Sequence, residues 1–283
     1  MIVQDLPLPL VDPIVDRALA EDLVSGDVTT EACIDAEALA TANGVARGSL
    51  VACGAPVVAR VFARVDPGLR FEVHVRDGER VAKGTTLWGV SGNARSILMA
   101  ERVALNFAQR MTGVATAART YVDALATGSS TRITDTRKTT PGLRLLERYA
   151  VRCGGARNHR DNLGSAVLIK DNHIAACGGI TRAIERARDR APHTCRIECE
   201  VDTLAQLDEA LLAKADVVLL DNMDTATVIE AVKRTAGRAI LEASGGITLS
   251  RVAELSRAGV DAISVGALTH SSPAADIGLD FVA

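Results

Sequence analysis

Beyond residue 130 the chain alternates short apolar runs with stretches whose apolar residues return every three to four positions. The runs at 131–135, 166–170, 196–201, 216–220, 238–243 and 261–265 read as strands. Residues 178–190, 203–213, 225–235 and 249–258 carry Leu, Val, Ile and Ala at helical spacing. The last four strands recur at intervals of roughly twenty residues, the length of one β-loop-α-loop unit. Asp202-Thr203, Asp224-Thr225 and Thr248 or Ser250 stand where helix N-caps belong, and Gly237 and Gly259 where helices stop.

The strand ends carry the chemistry. In order they close on Asp135 with Arg137 and Lys138, on Lys170, on Glu200, on Asp221-Asn222, on Ser244-Gly245-Gly246 and on Gly266. A β/α barrel collects the C-terminal ends of its strands at one face, where such enzymes keep their active sites; an open doubly wound sheet would bring fewer of them together. Parity agrees at Ile197-Glu198-Cys199-Glu200-Val201: both Glu share one face, predicted to point inward, and the apolar residues share the other. The first hundred residues differ. Runs at 48–53, 57–65 and 71–75 are separated by turn signals such as Asp66-Pro67-Gly68 and Arg76-Asp77-Gly78 and read as short strands of a separate α/β layer domain. A long helix beginning near Ala94 and running through 99–122 is predicted to join the two.

Composition narrows the class. Hydrophobic residues make up 48% of the 283 and aromatics only 2%, so the core is built from Val, Leu, Ile and Ala, the filling of parallel sheets covered by helices. The 32 Lys+Arg against 35 Asp+Glu leave a net charge of −3, which argues against a broad nucleic-acid surface. Positive charge is instead local: Arg137, Lys138, His159, Arg160, Lys170 and His173 crowd into 135–173, as a small polyanionic ligand requires. Arg144, Arg148, Arg152 and Arg157 read as solvated helix charges. Six cysteines without a C-x-x-C pair read as reduced thiols of a cytoplasmic protein. Residues 1–10 lack a basic start followed by an apolar run, and no segment approaches the ~18 apolar residues of a membrane span, so a soluble protein that is not exported is expected.

Ser244-Gly245-Gly246-Ile247 and Ser264-Val265-Gly266-Ala267 close successive late strands ahead of helical stretches, where backbone N–H groups can approach a phosphate. Glu200 and Asp221 are candidates for general acid and base, or for ligands of Mg²⁺ and ribose hydroxyls. No His/Cys cluster is spaced for zinc. Of the five histidines, His159, between Asn158 and Arg160, is the one placed for an anion.

These segments carry a resemblance. Glu101-Arg102-Val103-Ala104-Leu105-Asn106-Phe107, DTRKTTPGLR at 135–144, Asn158-His159-Arg160, Leu168-Ile169-Lys170-Asp171-Asn172-His173, Glu198-Cys199-Glu200-Val201, Leu220-Asp221-Asn222 and Glu242-Ala243-Ser244-Gly245-Gly246-Ile247 together resemble the quinolinate phosphoribosyltransferase family, from about Glu21 to Asp280. Glu21-Asp22-Leu23 followed by Gly26-Asp27-Val28-Thr29-Thr30 resembles its N-terminal signature.

The resemblance implies an α/β protein with an incomplete, seven-stranded type of β/α barrel at 111–270 and an N-terminal α/β sandwich domain at 1–110, completed by 271–283. It implies transfer of phosphoribosyl from phosphoribosyl pyrophosphate to quinolinate with Mg²⁺ and loss of CO₂ in NAD biosynthesis. Carried over by position, Arg137, His159 and Arg160 would hold the quinolinate carboxylates, joined by Arg102 from the partner of a homodimer. Lys138 and Lys170 would contact substrate anions, Glu200 and Asp221 the ribose and Mg²⁺, and Ser244, Gly245, Gly246, Gly266 and His270 the 5′-phosphate. The sequence departs from the pattern at Val24-Ser25, Asn162, Ser165 and Cys199. Two rivals are a relative acting on another ring acid such as nicotinate, and a non-catalytic sensor of small ligands. The first would be expected to lose part of the Arg102, Arg137, His159, Arg160 set, and the second would not need Glu200 and Asp221; all are present.

Overall fold

A computed structural model describes residues 6–282, which form two compact units; the segments 1–5 and 283, at the ends of the predicted N-terminal domain, lie outside the described residues. The first unit holds α1 (Leu8–Asp22), α2 (Val28–Cys33), β1 (Leu39–Ala46), β2 (Leu50–Val51), α3 (Ala55–Val65), β3 (Arg70–Val73), β4 (Arg80–Val81), β5 (Thr86–Asn93) and most of α4 (Ala94–Asp123). Its four-stranded antiparallel sheet runs β12-β1-β5-β3, where β12 (Ile277–Phe281) brings the end of the chain back beside β1.

The run at 57–65, expected as a strand, is helix α3. Val57, Val58, Val61 and Phe62 fall on one buried face, Pro56 sits in the first turn, and the Asp77 carboxylate accepts the N–H groups of Gly54 and Ala55 at the helix start. A run of β-branched residues is locally ambiguous, and this N-terminal anchoring from another segment decides it.

The two compact units do not divide at a single point in the chain. Helix α4 through Arg119 and the segment 139–155, with α5 (Arg144–Cys153), belong to the first unit. The reason lies in α5: Tyr149 donates its hydroxyl to Asp77 at 2.8 Å, and fully buried Glu147 holds the Arg110 guanidinium at 2.6 Å. Arg148 on this helix is buried, not solvated, and Arg152 lies over the Tyr149 ring at 5.7 Å.

The second unit is a six-stranded parallel sheet in the order β6-β11-β10-β9-β8-β7: β6 (Arg132–Thr134), β7 (Val167–Ile169), β8 (Ile197–Val201), β9 (Val217–Asp221), β10 (Ile240–Ser244) and β11 (Ala262–Ser264). Beside β6, Thr134 also bridges Arg157 in parallel. Strand order follows chain order and then sets the first strand beside the last, with no reversal such as a doubly wound sheet contains.

The connecting helices are α6 (Asp171–Cys177), α7 (Ile180–Arg190), α8 (Leu204–Leu212), α9 (Thr225–Thr235) and α10 (Leu249–Ala258), followed by the short α11 (Ala267–His270). Thr203 and Asp224 cap α8 and α9 with their side chains, and Gly259 ends α10 in the left-handed region at φ 95°.

Parity does the sorting. Ile197, Cys199, Val201, Val218, Leu220, Leu241, Ala243 and Ile263 are buried, with Leu207, Val228, Val252 and Leu255 of the covering helices forming the same core. Each fully buried Val, Leu or Ile contributes about 1.5–3 kcal/mol. The alternate positions, Glu198, Glu200, Asp221, Glu242, Ser244 and Ser264, therefore share the opposite face. Among the described residues no helix is long and apolar enough to cross a membrane.

Candidate active site

Register sets which of these polar residues are neighbours. Leu219 of β9 pairs with Glu200 of β8 and Glu242 of β10, and Asp221 pairs with Ser244. A cavity of about 520 Å³ opens over this face. Its wall brings together Arg137, Lys138, His159, Arg160, Lys170, Glu200, Asp221, Ser244, Gly245 and Gly246, all expected from sequence, with Thr136, Asn222, Glu242 and Ser264. Gly266 is not in the wall, where Ser264 stands instead. Arg102 is exposed on α4 and His270, hydrogen-bonded to Ser271, is exposed after α11; both belong to the other unit.

The cationic side is built from two segments tied together by one carboxylate. Asp135, fully buried at the end of β6, accepts the Asn158 side-chain amide and the His159 backbone N–H, both at 2.7 Å. Its own N–H donates to the Arg157 carbonyl at 3.1 Å. The chain carrying Arg137 and Lys138 is thus braced to the loop carrying His159 and Arg160. Burial, then the neighbouring Arg137 charge, lowers the Arg160 pKa from its usual value, so two guanidiniums stand close enough to repel. An anion between them relieves that repulsion. The departures at Asn162 and Ser165 close the next turn: Ser165 Oγ accepts the N–H of Asp161 and Asn162, and Asn162 Oδ1 accepts that of Gly164.

His159 lines the cavity and is held by protein groups on both sides of its ring. Its Nε2 lies 3.3 Å from both Glu198 and Glu242, and its Nδ1 accepts the Arg160 N–H at 2.7 Å. Both ring nitrogens thus meet protein groups, while the residue itself lines the cavity. Burial alone would disfavour the imidazolium, but hydrogen bonding to Glu198 and then Glu242 overrides it and pushes the pKa up to about 10. The Arg160 N–H opposes this, because a second proton on Nδ1 must displace it. Burial raises the Glu198 pKa as well, and its other oxygen, Oε1, is buried without a hydrogen-bond partner among the described residues. A single Nε2–H therefore faces two buried carboxylates.

On the acidic side Lys170 donates to Glu200 Oε2 at 2.5 Å, and Asn222 donates its amide to Asp221 at 2.8 Å. The glycine turn follows directly. Gly245 (φ +85°) passes so close to Asn222 that any side chain would collide with it, and Arg251 of α10 braces the turn by donating to the carbonyls of Met223 and Gly245. Nothing in the helical pattern at 249–258 distinguishes Arg251 from a solvated charge. Asp135 carried a clearer signal, as a carboxylate at a strand end, but charge spacing alone could not separate bracing from ligand binding.

For a divalent cation, Glu200 and Asp221 offer hard oxygen donors on one cavity wall, which suits Mg²⁺. Two tighter groups of metal-type ligands exist among the described residues. In His159, Glu198 and Glu242 the ring is engaged on both sides, Nε2 lying 3.3 Å from the two carboxylates and Nδ1 accepting the Arg160 N–H. In Cys53, Asp77 and Cys153 the carboxylate is engaged by Gly54, Ala55 and Tyr149, and burial pushes the Cys53 thiol well up, so this group is structural.

At the C-terminal ends of parallel strands, arginines share one cavity with carboxylates and a glycine turn, an arrangement that can hold an anionic ligand. Residues 27–112 match the description "Quinolinate phosphoribosyl transferase, N-terminal domain" and residues 114–280 its "C-terminal domain". The chain is 42% identical over 279 residues to a "Probable nicotinate-nucleotide pyrophosphorylase [carboxylating]" of Synechocystis, covering 98% of this chain and 94% of that one. It is 44% identical over 270 residues to the "Nicotinate-nucleotide pyrophosphorylase [carboxylating]" of Mycobacterium leprae, with 93% and 94% covered. The solved nicotinate-nucleotide pyrophosphorylase from Francisella tularensis superposes with a TM-score of 0.94 at 37% identity, over 99% of both chains. The chain belongs to the quinolinate phosphoribosyltransferase family.

Proposed function

We propose that this protein transfers the phosphoribosyl group of phosphoribosyl pyrophosphate to quinolinate with decarboxylation, giving nicotinate mononucleotide, pyrophosphate and CO₂ in de novo NAD biosynthesis. The observation that carries the reading is one cavity in which Arg137 and Arg160 oppose Glu200, Asp221 and the Ser244–Gly246 turn. A dicarboxylate clamp thus faces a ribose-phosphate cradle.

Arg137 and Arg160 grip the quinolinate carboxylates, with His159 holding the Arg160 segment, and Arg102 of the partner subunit completes the clamp across a homodimer. Lys138 and Lys170 offer point charges to substrate anions. Backbone N–H groups of the glycine turn, at the approach to α10, receive the 5′-phosphate. Glu200 and Asp221 hold ribose hydroxyls and a Mg²⁺ ion, which when bound neutralises charge on the departing pyrophosphate. As that bond breaks, positive charge develops on the sugar, and the same two carboxylates stabilise it. The pyridine nitrogen then bonds to the ribose carbon and becomes cationic, so the ring stabilises its own carbanion when CO₂ leaves. The residues' main contribution is to fix both substrates in line.

The ring order of the parallel strands, with the Thr134–Arg157 bridge in place of a seventh strand, supports an incomplete seven-stranded barrel; β12 returning to β1 supports an N-terminal sandwich completed by the chain's end. Six unpaired cysteines suit a cytoplasmic location.

The test is a Mg²⁺-dependent assay with phosphoribosyl pyrophosphate and carboxyl-labelled quinolinate, nicotinate being the parallel substrate. Label release as CO₂ with quinolinate alone is expected. Turnover of nicotinate without CO₂ would replace this reading with the ring-acid rival, and binding without product would replace it with the sensor.

A further inference from the structure

The ion pair on the cavity wall joins two side chains that the proposed reaction needs apart. Lys170 follows β7 directly and Glu200 lies on the neighbouring strand β8, with Nζ 2.5 Å from Oε2. Among the described residues Lys170 is the hydrogen-bonding partner of this carboxylate. The lysine side chain is 46% exposed and the glutamate 13% exposed, so the ammonium can swing into solvent or toward a ligand while the carboxylate stays on its strand. Asp221 has no comparable partner to release: its amide donor, Asn222, is the next residue and moves with it.

Without ligands, each charge is spent on the other. The ammonium is not fully available to a substrate carboxylate, nor the carboxylate to a cation or a ribose hydroxyl. A dianion seated beside Arg137 and Arg160 attracts Lys170 and leaves Glu200 as an unpaired, largely buried carboxylate, which then gains more from a divalent cation and hydroxyl donors. A metal-bound phosphoribosyl ligand at Glu200 releases Lys170 in the same way. Resting on the function proposed above, we infer that the Lys170–Glu200 pair couples the two substrate subsites, so that the dicarboxylate and the Mg²⁺-bound phosphoribosyl ligand each tighten the other's binding. The effect is reciprocal by linkage. Its sign is diagnostic, since two anions sharing one cavity would otherwise repel and weaken each other. For a half-exposed ion pair the expected factor is about three- to five-fold.

Phthalate, a benzene dicarboxylate without the ring nitrogen, keeps the charge arrangement of quinolinate but cannot attack the ribose, so the doubly liganded protein does not turn over. Phosphoribosyl pyrophosphate with Mg²⁺ would be titrated calorimetrically into the intact protein with and without saturating phthalate. The Kd in the unmodified protein is expected to tighten about three- to five-fold, and in Lys170→Met and in Glu200→Gln to stay unchanged or weaken. Absence of tightening in the unmodified protein, or the same factor in Lys170→Met, overturns the coupling; the second result would trace it to contact between the ligands. If both ligands bind but independently, the transferase reading stands and the coupling alone falls. If either ligand fails to bind the unmodified protein, the transferase reading falls and takes the coupling with it.

Discussion

Replacing Gly245 with Ala probes the phosphate side of the cavity at its tightest point. A methyl group at this position would lie 2.1 Å from Asn222 Oδ1 and 2.8 Å from the Asn222 backbone nitrogen. The side-chain amide can rotate away, but the nitrogen cannot: its N–H donates to the Ser244 carbonyl at 3.0 Å, and Asp221 and Ser244 are paired in the sheet. The turn itself must therefore move. Left-handed backbone costs alanine about 1–2 kcal/mol, and forcing the methyl into filled space adds about 1–3 kcal/mol. Misplacing a binding group by about 1 Å costs on the order of 10²-fold in rate. The expected result is a kcat/KM for phosphoribosyl pyrophosphate about 100-fold lower, measured from initial rates at saturating quinolinate, with phthalate affinity within about two-fold of the parent because Arg137 and Arg160 lie on other segments. Gly246 is the internal control. It also has positive φ (+57°), but an added methyl meets nothing within 4 Å, so Gly246→Ala should show only the backbone strain, about ten-fold. Equal losses in the two variants, or a Gly245→Ala enzyme within about three-fold of the parent, would refute the close-approach reasoning.

The other perturbations address the clamp, its anchor, the assembly and the first unit. Arg160→Ala removes charge-assisted hydrogen bonds worth about 1.5–3 kcal/mol, so KM for quinolinate should rise about 10- to 100-fold; an unchanged value would remove Arg160 from the clamp. Glu198 and Glu242 raise the folded pKa of His159 above the 6.5 of a free imidazole, toward about 10, against the Arg160 N–H on Nδ1, so the stability it contributes is complete below 6.5 and is lost as pH rises through the folded pKa. Urea unfolding between pH 7 and 10 should accordingly show a steeper loss in the parent than in His159→Gln, and parallel curves would contradict the assignment. If Arg102 acts across a homodimer, mixing and reassociating Arg102→Ala and Arg160→Ala chains, assayed at quinolinate near the parental KM where each alone is nearly silent, should restore about a quarter of parental activity, because half the dimers are hybrids with one intact site; no recovery would confine Arg102 to its own chain. Gly113→Ala would drive a methyl to 2.0 Å from the Pro273 carbonyl, where the returning chain crosses α4, and should cost about 1–3 kcal/mol in urea unfolding.

The second unit was legible because its periodicities are produced by the environments they report. Strands covered by helices must alternate apolar and ligand-facing positions, and β8 to β11 do so within a residue or two of the expected bounds. The first unit was less legible. The run at 57–65 carries both a helical spacing of apolar residues behind Pro56 and a β-branched composition that suits a strand, and Asp77, from another segment, binds the helix N-terminus. Residues 139–155 lie in sequence between two stretches of the second unit, yet Glu147 and Tyr149 bind them to Arg110 and Asp77 of the first. Within the site, residue identities were readable but directions were not: no spacing rule says that His159 turns both nitrogens toward protein, or that Arg251 spends its guanidinium on two carbonyls.

The mixed sign of the cavity bears on which anion it prefers. A wall holding only Arg137, Lys138, Arg160 and Lys170 would bind the most highly charged small anion available, and that is pyrophosphate, the leaving group itself. Glu200, Asp221 and Glu242 line the same wall, with Glu198 directly behind His159. A bare polyanion must approach these carboxylates to reach the cations, and loses there part of what it gains. A ligand that brings a divalent cation and hydroxyl groups to the acidic strands, with a separate dianion at the arginines, satisfies both halves at once. Charge arrangement, more than total charge, then decides occupancy, as it must in a cavity that has to release pyrophosphate after every turnover.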